Sequence, residues 1–583
     1  MTYIPPLDDF RFLMEEVFDL STILGSEHYP EADAGLVRAV LEEAARFTRD
    51  ILGPTNAIAD EIGSRFIDDA VRVPGIWQDV YKQYGENGWI GLNLPERFGG
   101  QNLPFVVQAP VAEMVTGACM AFSMLPLMGR AAAKLLIAHA DAELQHVVVP
   151  KLAAGDWAAT ICITEAVAGS DVGRIRTRAV PLDERTWSLT GSKIFITFGD
   201  HDLTKQIVHL VLARTPDAPP GTRGLSLFLV PKWEFDPDGS LKNRNPVAVG
   251  STEHKMGLHA SPTCVLNLDK AKGFLVGQVG SGLKAMFEMV HVMRLETGIQ
   301  GLGVASAATR RALSYAAERL QGGPADAAPV AIIEHADVRR MLCTMLARVE
   351  AMRAMMFDVA MQLDLATVLV DPAGRDRAAR QADWLLPVCK AFFTATGFEV
   401  VNLALQCFGG HGYVKDTGME QYVRDLRIAA IYEGTNGIQA FDLVVRKHIH
   451  ANGRYYAEFT ERIRADLERA HGRADLAELS AAVADTLGRA DRVSAAYLDG
   501  GAEQRRDAEG GAAAYLALLG RLASAWMWLR MAAVANGESA LHRKKRKLAK
   551  FYMSYLLPEV EALEQQAYPG RATTSITQEE LLC

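Results

Sequence analysis

The sequence predicts a mainly α-helical protein with a central β domain, and three observations carry that reading. Apolar residues recur at the helical period from Leu36 to about Trp157. From about Ala158 to Gly277 the pattern changes to short runs of Val, Ile, Leu, Phe and Thr broken by Gly, Pro and Asp. After Gly282 helical spacing returns and continues into an Ala-, Leu- and Arg-rich final block. The expected units are a helical N-terminal domain (1–157), a β middle domain (158–277), a helical bundle domain (278–450) and a C-terminal helical extension (451–583).

In the first unit Leu36, Val40, Leu41, Ala44 and Phe47 fall on one helix face, with turn clusters such as Leu94-Pro-Glu-Arg-Phe-Gly-Gly100 between segments. The middle unit offers Thr160–Thr164, Trp187–Thr197, Ile207–Ala213, Leu225–Val230 and Thr263–Leu268 as strands of a mainly antiparallel domain. Polar, Gly- and Pro-containing stretches at Gln321–Pro329 and Asp371–Arg380 read as loops between the bundle helices. The extension is divided by an expected loop at Asp499–Gly511, and its stripe Tyr515, Leu519, Leu522 and Trp526 is the apolar face that docking requires. No repeat of 20–50 residues is evident.

With 583 residues, 49% apolar and 22% charged, the chain can bury several cores. The first twenty residues carry Asp8, Asp9, Glu15 and Glu16, so export is not expected. Charged residues interrupt the Ala- and Leu-rich segments, so no membrane-spanning helix of about 18 or more apolar residues is expected either, and a soluble protein is anticipated. A formal charge of −9 and a pI near 5.9 argue against a surface that attracts phosphate backbones as a whole. The seven cysteines (119, 162, 264, 343, 389, 407, 583) are scattered and form no Cys-x-x-Cys pair, which fits a reducing cytoplasm and no structural metal.

Generic catalytic motifs are absent: no Gly-x-Ser-x-Gly elbow, no phosphate-binding Gly-Lys-Ser/Thr loop, no His-Glu-x-x-His pair. Gly298–Ser306 has the glycines of a dinucleotide loop, but no strand precedes it, and close helix packing through small residues is the better reading. Three segments set hydroxyls, amides or a carboxylate beside glycines: Ile161-Cys-Ile-Thr-Glu-Ala-Val-Ala-Gly-Ser-Asp171, Gln406-Cys-Phe-Gly-Gly-His-Gly-Tyr413 and Ile431-Tyr-Glu-Gly-Thr-Asn436. Glycines let backbone N–H groups approach a ligand, and hydroxyls bond a ring edge or a phosphate without adding charge.

In this order around a central β block, the three segments resemble the acyl-CoA dehydrogenase family over nearly all of residues 1–450. Gly88-Trp-Ile-Gly-Leu-Asn-Leu-Pro-Glu-Arg-Phe-Gly-Gly100, Gly191-Ser-Lys-Ile-Phe-Ile-Thr197 and Arg424-Asp-Leu-Arg-Ile428 add to the likeness. The extension and Asn436-Gly-Ile-Gln-Ala-Phe-Asp-Leu443 look most like the longer bacterial branch that includes 3-(methylthio)propanoyl-CoA dehydrogenase. The resemblance implies a β-barrel-like middle domain, a four-helix-bundle domain, FAD as cofactor and α,β-dehydrogenation of an acyl-CoA.

By resemblance the base is Glu433. Thr164 is implied to contact the flavin ring, Ser170 the FAD pyrophosphate and acyl-CoA, and Phe195-Ile196-Thr197 the isoalloxazine, with Phe195 in place of the family's usual Trp. Cys162, Thr435 and Asn436 are carried over as further FAD contacts, and Gly434 and Arg294 as acyl-CoA contacts. Arg319 and Gln321 match an element that reaches FAD from a neighbouring subunit, and Gln406, Gly409 and Gly410 match its other half, so a homodimer or dimer of dimers is implied. Some relatives place the base just before the residue matching Arg294. That position is Met293 here, which cannot accept a proton.

Departures mark where the pattern is weakest. Ala166 replaces the usual Pro after Thr-Glu, so a looser turn is expected. His411 replaces a common Asn and has no partner visible in sequence, and His335-Ala336 departs from His-Gln at one FAD contact. Two rival functions compete. An alkylation-response branch of the family binds DNA through a basic C-terminal region, and His542-Arg-Lys-Lys-Arg-Lys547 is such a run, although within an amphipathic helix a solvated face is the favoured reading and nucleic acid is not an expected partner. An acyl-CoA oxidase shares the glutamate and FAD but gives electrons to O₂; electron-transferring flavoprotein is the expected acceptor. A short- to medium-chain or 3-(methylthio)propanoyl-CoA is the expected substrate.

Overall fold

The computed structural model describes residues 3–499, 502–568 and 575–583, with side chains of the helix that begins at Ala502 described from residue 508 onward. The first unit is helical, built on Ala34–Arg46, Trp77–Glu86, Phe105–Ala118, Met120–His139 and Ala142–Ala154. It also contains a small hairpin, Arg65–Ile67 with Ala70–Arg72, that the pattern does not predict because its strands are three residues long and mostly solvent-facing. Asp200 and Asp202 of the middle domain fasten this hairpin by accepting from the Val71 and Val73 N–H groups at 3.3 and 3.1 Å.

The middle domain is a closed sheet. Strands β1 (Trp157–Cys162), β2 (Arg178–Pro181), β3 (Thr186–Thr197), β4 (Gln206–Arg214), β5 (Leu225–Pro231), β6 (Val247–Thr252) and β7 (Thr263–Val276) form it. Pairings β7–β3, β3–β2, β2–β4, β4–β5 and β5–β7 close a ring, with β6 added beside β7 and β1 beside β4. The five anticipated strands are present, whereas β2 and β6 are found only in the structure: their short, half-exposed sequences carry too few alternations to stand out. Leu189, Ile196, Val211, Phe228, Cys264 and Leu266 fill the barrel as a core separate from that of the helices.

Three long helices, Gly282–Glu318, Ala336–Val368 and Pro372–Cys407, pack with Asn436–Ile449 as the bundle. The stretch expected as a loop at Asp371–Arg380 is instead a helix start: Asp371 caps it by accepting from Ala373 and Gly374 N–H, and Pro372 occupies the first turn, where no N–H is needed. The glycines of Gly298–Ser306 are packing residues. An added Cβ would lie 2.6 Å from the Phe393 carbonyl at Gly301 and 2.7 Å from the Glu113 carbonyl at Gly303, so their absence lets three helix backbones meet.

The extension consists of Arg454–Arg469, Ala477–Leu498, Ala502–Val534, Ala540–Phe551 and Val560–Ala567. Most of the loop expected at Asp499–Gly511 is helical, because the helix starts at Ala502; residues 500 and 501 lie outside the described residues. Gly511 is not a breaker but a contact point, where a Cβ would come within 2.0 Å of the Ala567 carbonyl. Tyr515, Leu519, Leu522 and Trp526 are all buried, and Trp528 Nε1 donates to the Ala347 carbonyl of the bundle at 3.1 Å. Contrary to the expectation from charge spacing, three helices among the described residues (Met120–His139, Pro372–Cys407, Ala508–Val534) are long and apolar enough to cross a membrane, but their most apolar windows are 89%, 67% and 83% buried within the protein.

Candidate active site

Glu433 sits in the turn between a 3₁₀ segment ending at Ala430 and the helix Asn436–Phe441. Its φ is +56° and that of Gly434 +83°, two consecutive left-handed residues of which the first is costly for a residue with a Cβ. Thr435 caps the helix by accepting from Ile438 N–H, so Glu433 is not a helix-start carboxylate. Among the described residues the Glu433 carboxylate has no hydrogen bond or ion pair, and its backbone N–H has no acceptor. Burial pushes its carboxyl up to about 7, against the opposing pull of Arg294 and then Lys390.

Those two cations come from the flanking helices. Arg294, on Gly282–Glu318, is buried, pairs with Asp442 at 3.3 Å and stands 3.9 Å from where a Gly434 Cβ would be. Met293 beside it is fully buried. Lys390, on Pro372–Cys407, is fully buried and donates to the Gly434 carbonyl at 2.8 Å and to Asn436 Oδ1 at 3.1 Å. Sequence reasoning did not single out Lys390; a lysine in the most apolar stretch of a long helix was the signal that could have found it. The same contacts, with the Ala391 carbonyl and Thr394 Oγ1, tie the amide of Asn436, expected as an FAD contact, to the helix that carries Lys390.

Tyr432 continues the site inward. Its hydroxyl donates to Gln300 Oε1, and Gln300 Nε2 donates to Met124 Sδ at 3.0 Å. Gln300 lines a cavity of about 10 Å³ with Gln108, Ser123, Arg130 and Glu296, in which the Gln108 amide has no partner and Arg130 pairs with Glu296. Arg424 and Asp425 tie the turn's approach to the other units: Arg424 pairs with Asp60 at 2.6 Å and Asp425 accepts from Leu258 N–H at 2.6 Å.

On the barrel, Thr164 and the Ile194–Phe195 segment are joined by the Ile194 N–H to Thr164 carbonyl bond at 2.9 Å. A register shift between Cys264 and Leu266 puts an extra residue in β3, and Phe195, at φ +60°, is turned outward and left 60% exposed. Thr197 is half-buried on the same strand and Ser170 is exposed. The turn carrying Ala166 is not loose. Glu165 and Ala168 bond each other in both directions, and the Glu165 carboxylate holds the Arg176 and Thr177 N–H groups and Lys193 Nζ. Cys162 points into the barrel core, leaving only its backbone for a ligand.

Arg319, Gln321, Gln406, Gly409 and Gly410 are exposed and gather at one end of the bundle, where Tyr315 stacks on Phe408 at 4.0 Å and its hydroxyl meets His411 Nδ1 at 2.9 Å. His335 Nε2 meets the Gln321 carbonyl at 2.7 Å. At a rise of ~1.5 Å per residue, Arg319 stands roughly 37 Å from Arg294 along one helix and Gln406 roughly 24 Å from Lys390 along another. This end therefore does not face Glu433 of the same chain.

Models of acyl-CoA dehydrogenase N-terminal, middle and C-terminal domains match residues 37–156, 160–271 and 280–447, and a model described as acetyl-CoA dehydrogenase C-terminal-like matches 459–575. The chain is 41% identical over 552 residues to a 3-methylmercaptopropionyl-CoA dehydrogenase of Ruegeria pomeroyi, covering 93% of this chain and 92% of that one. It is 32% identical over 580 residues to a broad-specificity linear acyl-CoA dehydrogenase of Mycobacterium tuberculosis, covering 94% and 95%. In fold it resembles an acyl-CoA dehydrogenase from Bacillus anthracis complexed with FAD (TM-score 0.76, 20% identity, 96% and 91% covered) and Caenorhabditis elegans ACDH-11 in complex with C11-CoA (TM-score 0.77, 22% identity, 95% and 92% covered). The residues present fit a flavin: Phe195 offers a bare aromatic face, and Gly169, Gly409 and Gly410 have nothing within 4 Å of where a Cβ would stand.

Proposed function

Because the chain belongs to the acyl-CoA dehydrogenase family, and is thus an FAD-dependent oxidoreductase of acyl-CoA thioesters, we propose that Glu433 is the base that removes the α proton as the thioester is desaturated between Cα and Cβ. The observation that carries this is the unpaired Glu433 carboxylate, held near pKa 7 by burial, beside its own unused backbone N–H. An α proton of a thioester is weakly acidic, so a base kept partly dry and a donor aimed at the carbonyl oxygen, where charge develops, are both required. The Glu433 N–H is that donor, and buried Met293 leaves the alternative base position without a proton acceptor. FAD, when bound, accepts the hydride that leaves Cβ.

Glu433→Gln keeps the shape of the side chain but cannot take the proton. The variant is expected to retain FAD and bind acyl-CoA while flavin bleaching by substrate falls about 10²–10⁴-fold. Bleaching at the wild-type rate would rule Glu433 out.

The substrate proposed is a short- to medium-chain or 3-(methylthio)propanoyl-CoA, in keeping with the relative named for 3-methylmercaptopropionyl-CoA. A methylthio group differs from a short alkyl segment by about one methylene's burial, roughly 0.8 kcal/mol. Overlapping bleaching rates are therefore expected for butanoyl-, hexanoyl- and 3-(methylthio)propanoyl-CoA, and fastest reduction by a C16 or branched acyl-CoA would overturn the proposed substrate range. Electron-transferring flavoprotein is the proposed acceptor, and stoichiometric peroxide would replace it with O₂. The separation of Arg319, Gln321, Gln406, Gly409 and Gly410 from Glu433 supports a homodimer or dimer of dimers in which this end serves a neighbour's FAD. A cytoplasmic location is proposed from the free cysteines and the burial of the three apolar helices.

A further inference from the structure

A lysine with no exposed surface loses the hydration of its ammonium group, and something in the fold must compensate. Lys390 has no carboxylate within 4.0 Å among the described residues. Its Nζ instead reaches two oxygens of the turn after Glu433, the Gly434 carbonyl at 2.8 Å and Asn436 Oδ1 at 3.1 Å. Asn436 is held in turn from the same helix face, donating to the Ala391 carbonyl at 3.2 Å and to Thr394 Oγ1 at 3.1 Å. From the other side Gln439 Nε2 donates to the Glu433 and Gly434 carbonyls at 3.2 and 3.3 Å. A left-handed glutamate persists only where its surroundings pin it, and these are the groups that do so.

The charged and titratable groups facing Glu433 are few. Arg294 comes from Gly282–Glu318, with Nη1 3.3 Å from Asp442 and a buried Nε that has no partner among the described residues, and Asp442 also pairs with Arg446 at 3.3 Å. Tyr432 is on the turn itself, with its hydroxyl committed to Gln300. Lys390 comes from Pro372–Cys407. Burial pushes the Lys390 ammonium down to about 7 despite the attraction of Glu433, so its charge is sensitive to that carboxylate.

Resting on the reading of Glu433 as base, we infer that Lys390 is a positioning residue: it clamps the Gly434–Asn436 backbone so that the Glu433 carboxylate and N–H face the substrate, and its ammonium favours the ionised base. A purely architectural lysine would support folding and cofactor retention without influencing the proton affinity of Glu433.

The test separates these roles with an acyl-CoA analogue carrying sulfur in place of Cβ, which can lose an α proton but has no Cβ hydride to give. Its deprotonation on the FAD-loaded enzyme is followed by absorbance across pH, alongside FAD content, melting temperature and flavin bleaching by butanoyl-CoA. In Lys390→Met the apparent pKa for deprotonation is expected to rise by about one unit, bleaching at pH 7 to fall about tenfold or more, and Lys390→Arg to recover part of both. Lys390→Gln, which keeps a donor but no charge, decides the matter if Lys390→Met does not fold with FAD. An unshifted pKa in a folded, FAD-containing neutral variant, beside a Glu433→Gln that neither deprotonates the analogue nor bleaches, would overturn the role of Lys390 alone. Deprotonation by Glu433→Gln at the wild-type rate would instead remove the base on which the inference rests.

Discussion

Replacing Lys545 with methionine tests whether the basic run of the extension is structural. In sequence His542–Lys547 looks like a solvated or nucleic-acid-binding face, yet in the fold only Lys547 among these six has no partner among the described residues. Lys545 is 1% exposed, 3.0 Å from Asp9 and 2.7 Å from Glu350, both of them buried. Breaking a buried pair from one side costs about 3–5 kcal/mol. Here Lys544 stays 2.9 Å from Glu350, and Arg353 and Arg310 each stay 3.3 Å from Asp9, so the expected loss lies at the lower end, about 3 kcal/mol. If the 583-residue chain unfolds as one unit, that corresponds to a melting temperature lower by about 2–3 °C. Lys547→Met should change stability by no more than about 0.5 kcal/mol. Burial alone would raise the Asp9 carboxyl, but Lys545, then Arg353, Lys544 and Arg310, hold it well below the usual carboxylate range. A depressed carboxyl gives stability above its unfolded pKa of about 3.9 that is lost as pH falls, so acid unfolding of Lys545→Met should begin at higher pH than in the wild type. Thermal and acid melts of the three proteins provide the assay. Equal melting of Lys545→Met and wild type, or an equal fall in both variants, would refute the reasoning, and a DNA gel shift abolished by salt and by neutralising Arg543–Lys547 would reassign the run.

With its carboxyl at about 7, Glu433 is half ionised near neutrality and mostly protonated below it, so the rate of flavin bleaching at limiting acyl-CoA should rise about tenfold per pH unit well below 7 and level off above it; a flat profile from pH 5 to 9 would contradict the raised value. The same shift has a stability sign: raised from 4.5 in a half-buried site, Glu433 contributes stability that is present below about 4.5 and lost as pH rises through 7. Gly301→Leu would drive a side chain into the Phe393 carbonyl, and a loss of about 1–3 kcal/mol, read as a lower urea midpoint, is expected; an unchanged midpoint would mean the helices can part freely. Truncation before Arg454 would bare the bundle surface that Trp528 and Tyr515 cover, and an insoluble or misassembled product is expected; a soluble, fully active truncate would contradict the docking role.

The local chemistry of the chain was legible where it depends on near neighbours in sequence. The helical period, the strand runs of β1, β3, β4, β5 and β7, and the packing use of Gly298–Ser306 all follow from side-chain spacing. Motif likeness pointed to Glu433, Thr164, Phe195 and the Gly409–Gly410 turn, and to the family that matching of the whole chain then supports. Where the reading failed, two signals competed: Pro372 and Gly374 suggested a loop, but a capping aspartate and a proline that needs no N–H make the same residues a helix start. Likewise Gly510 and Gly511 suggested a break, although a small residue is what close approach to Ala567 demands.

The sequence by itself determined the longer helices, the five strand runs and the packing use of the Gly298–Ser306 glycines, because each depends on periodicity or on a short run of neighbours. Only the tertiary structure decided that Lys390 grips the turn after Glu433, that Lys545 is buried between Asp9 and Glu350, and that the Asn436 amide bonds the Ala391 carbonyl and Thr394 Oγ1. Those partners lie tens to hundreds of residues apart. Whether a charge is solvated, paired or buried depends on what the fold brings against it, and that is set by the packing of whole helices rather than by the residues beside it in the chain.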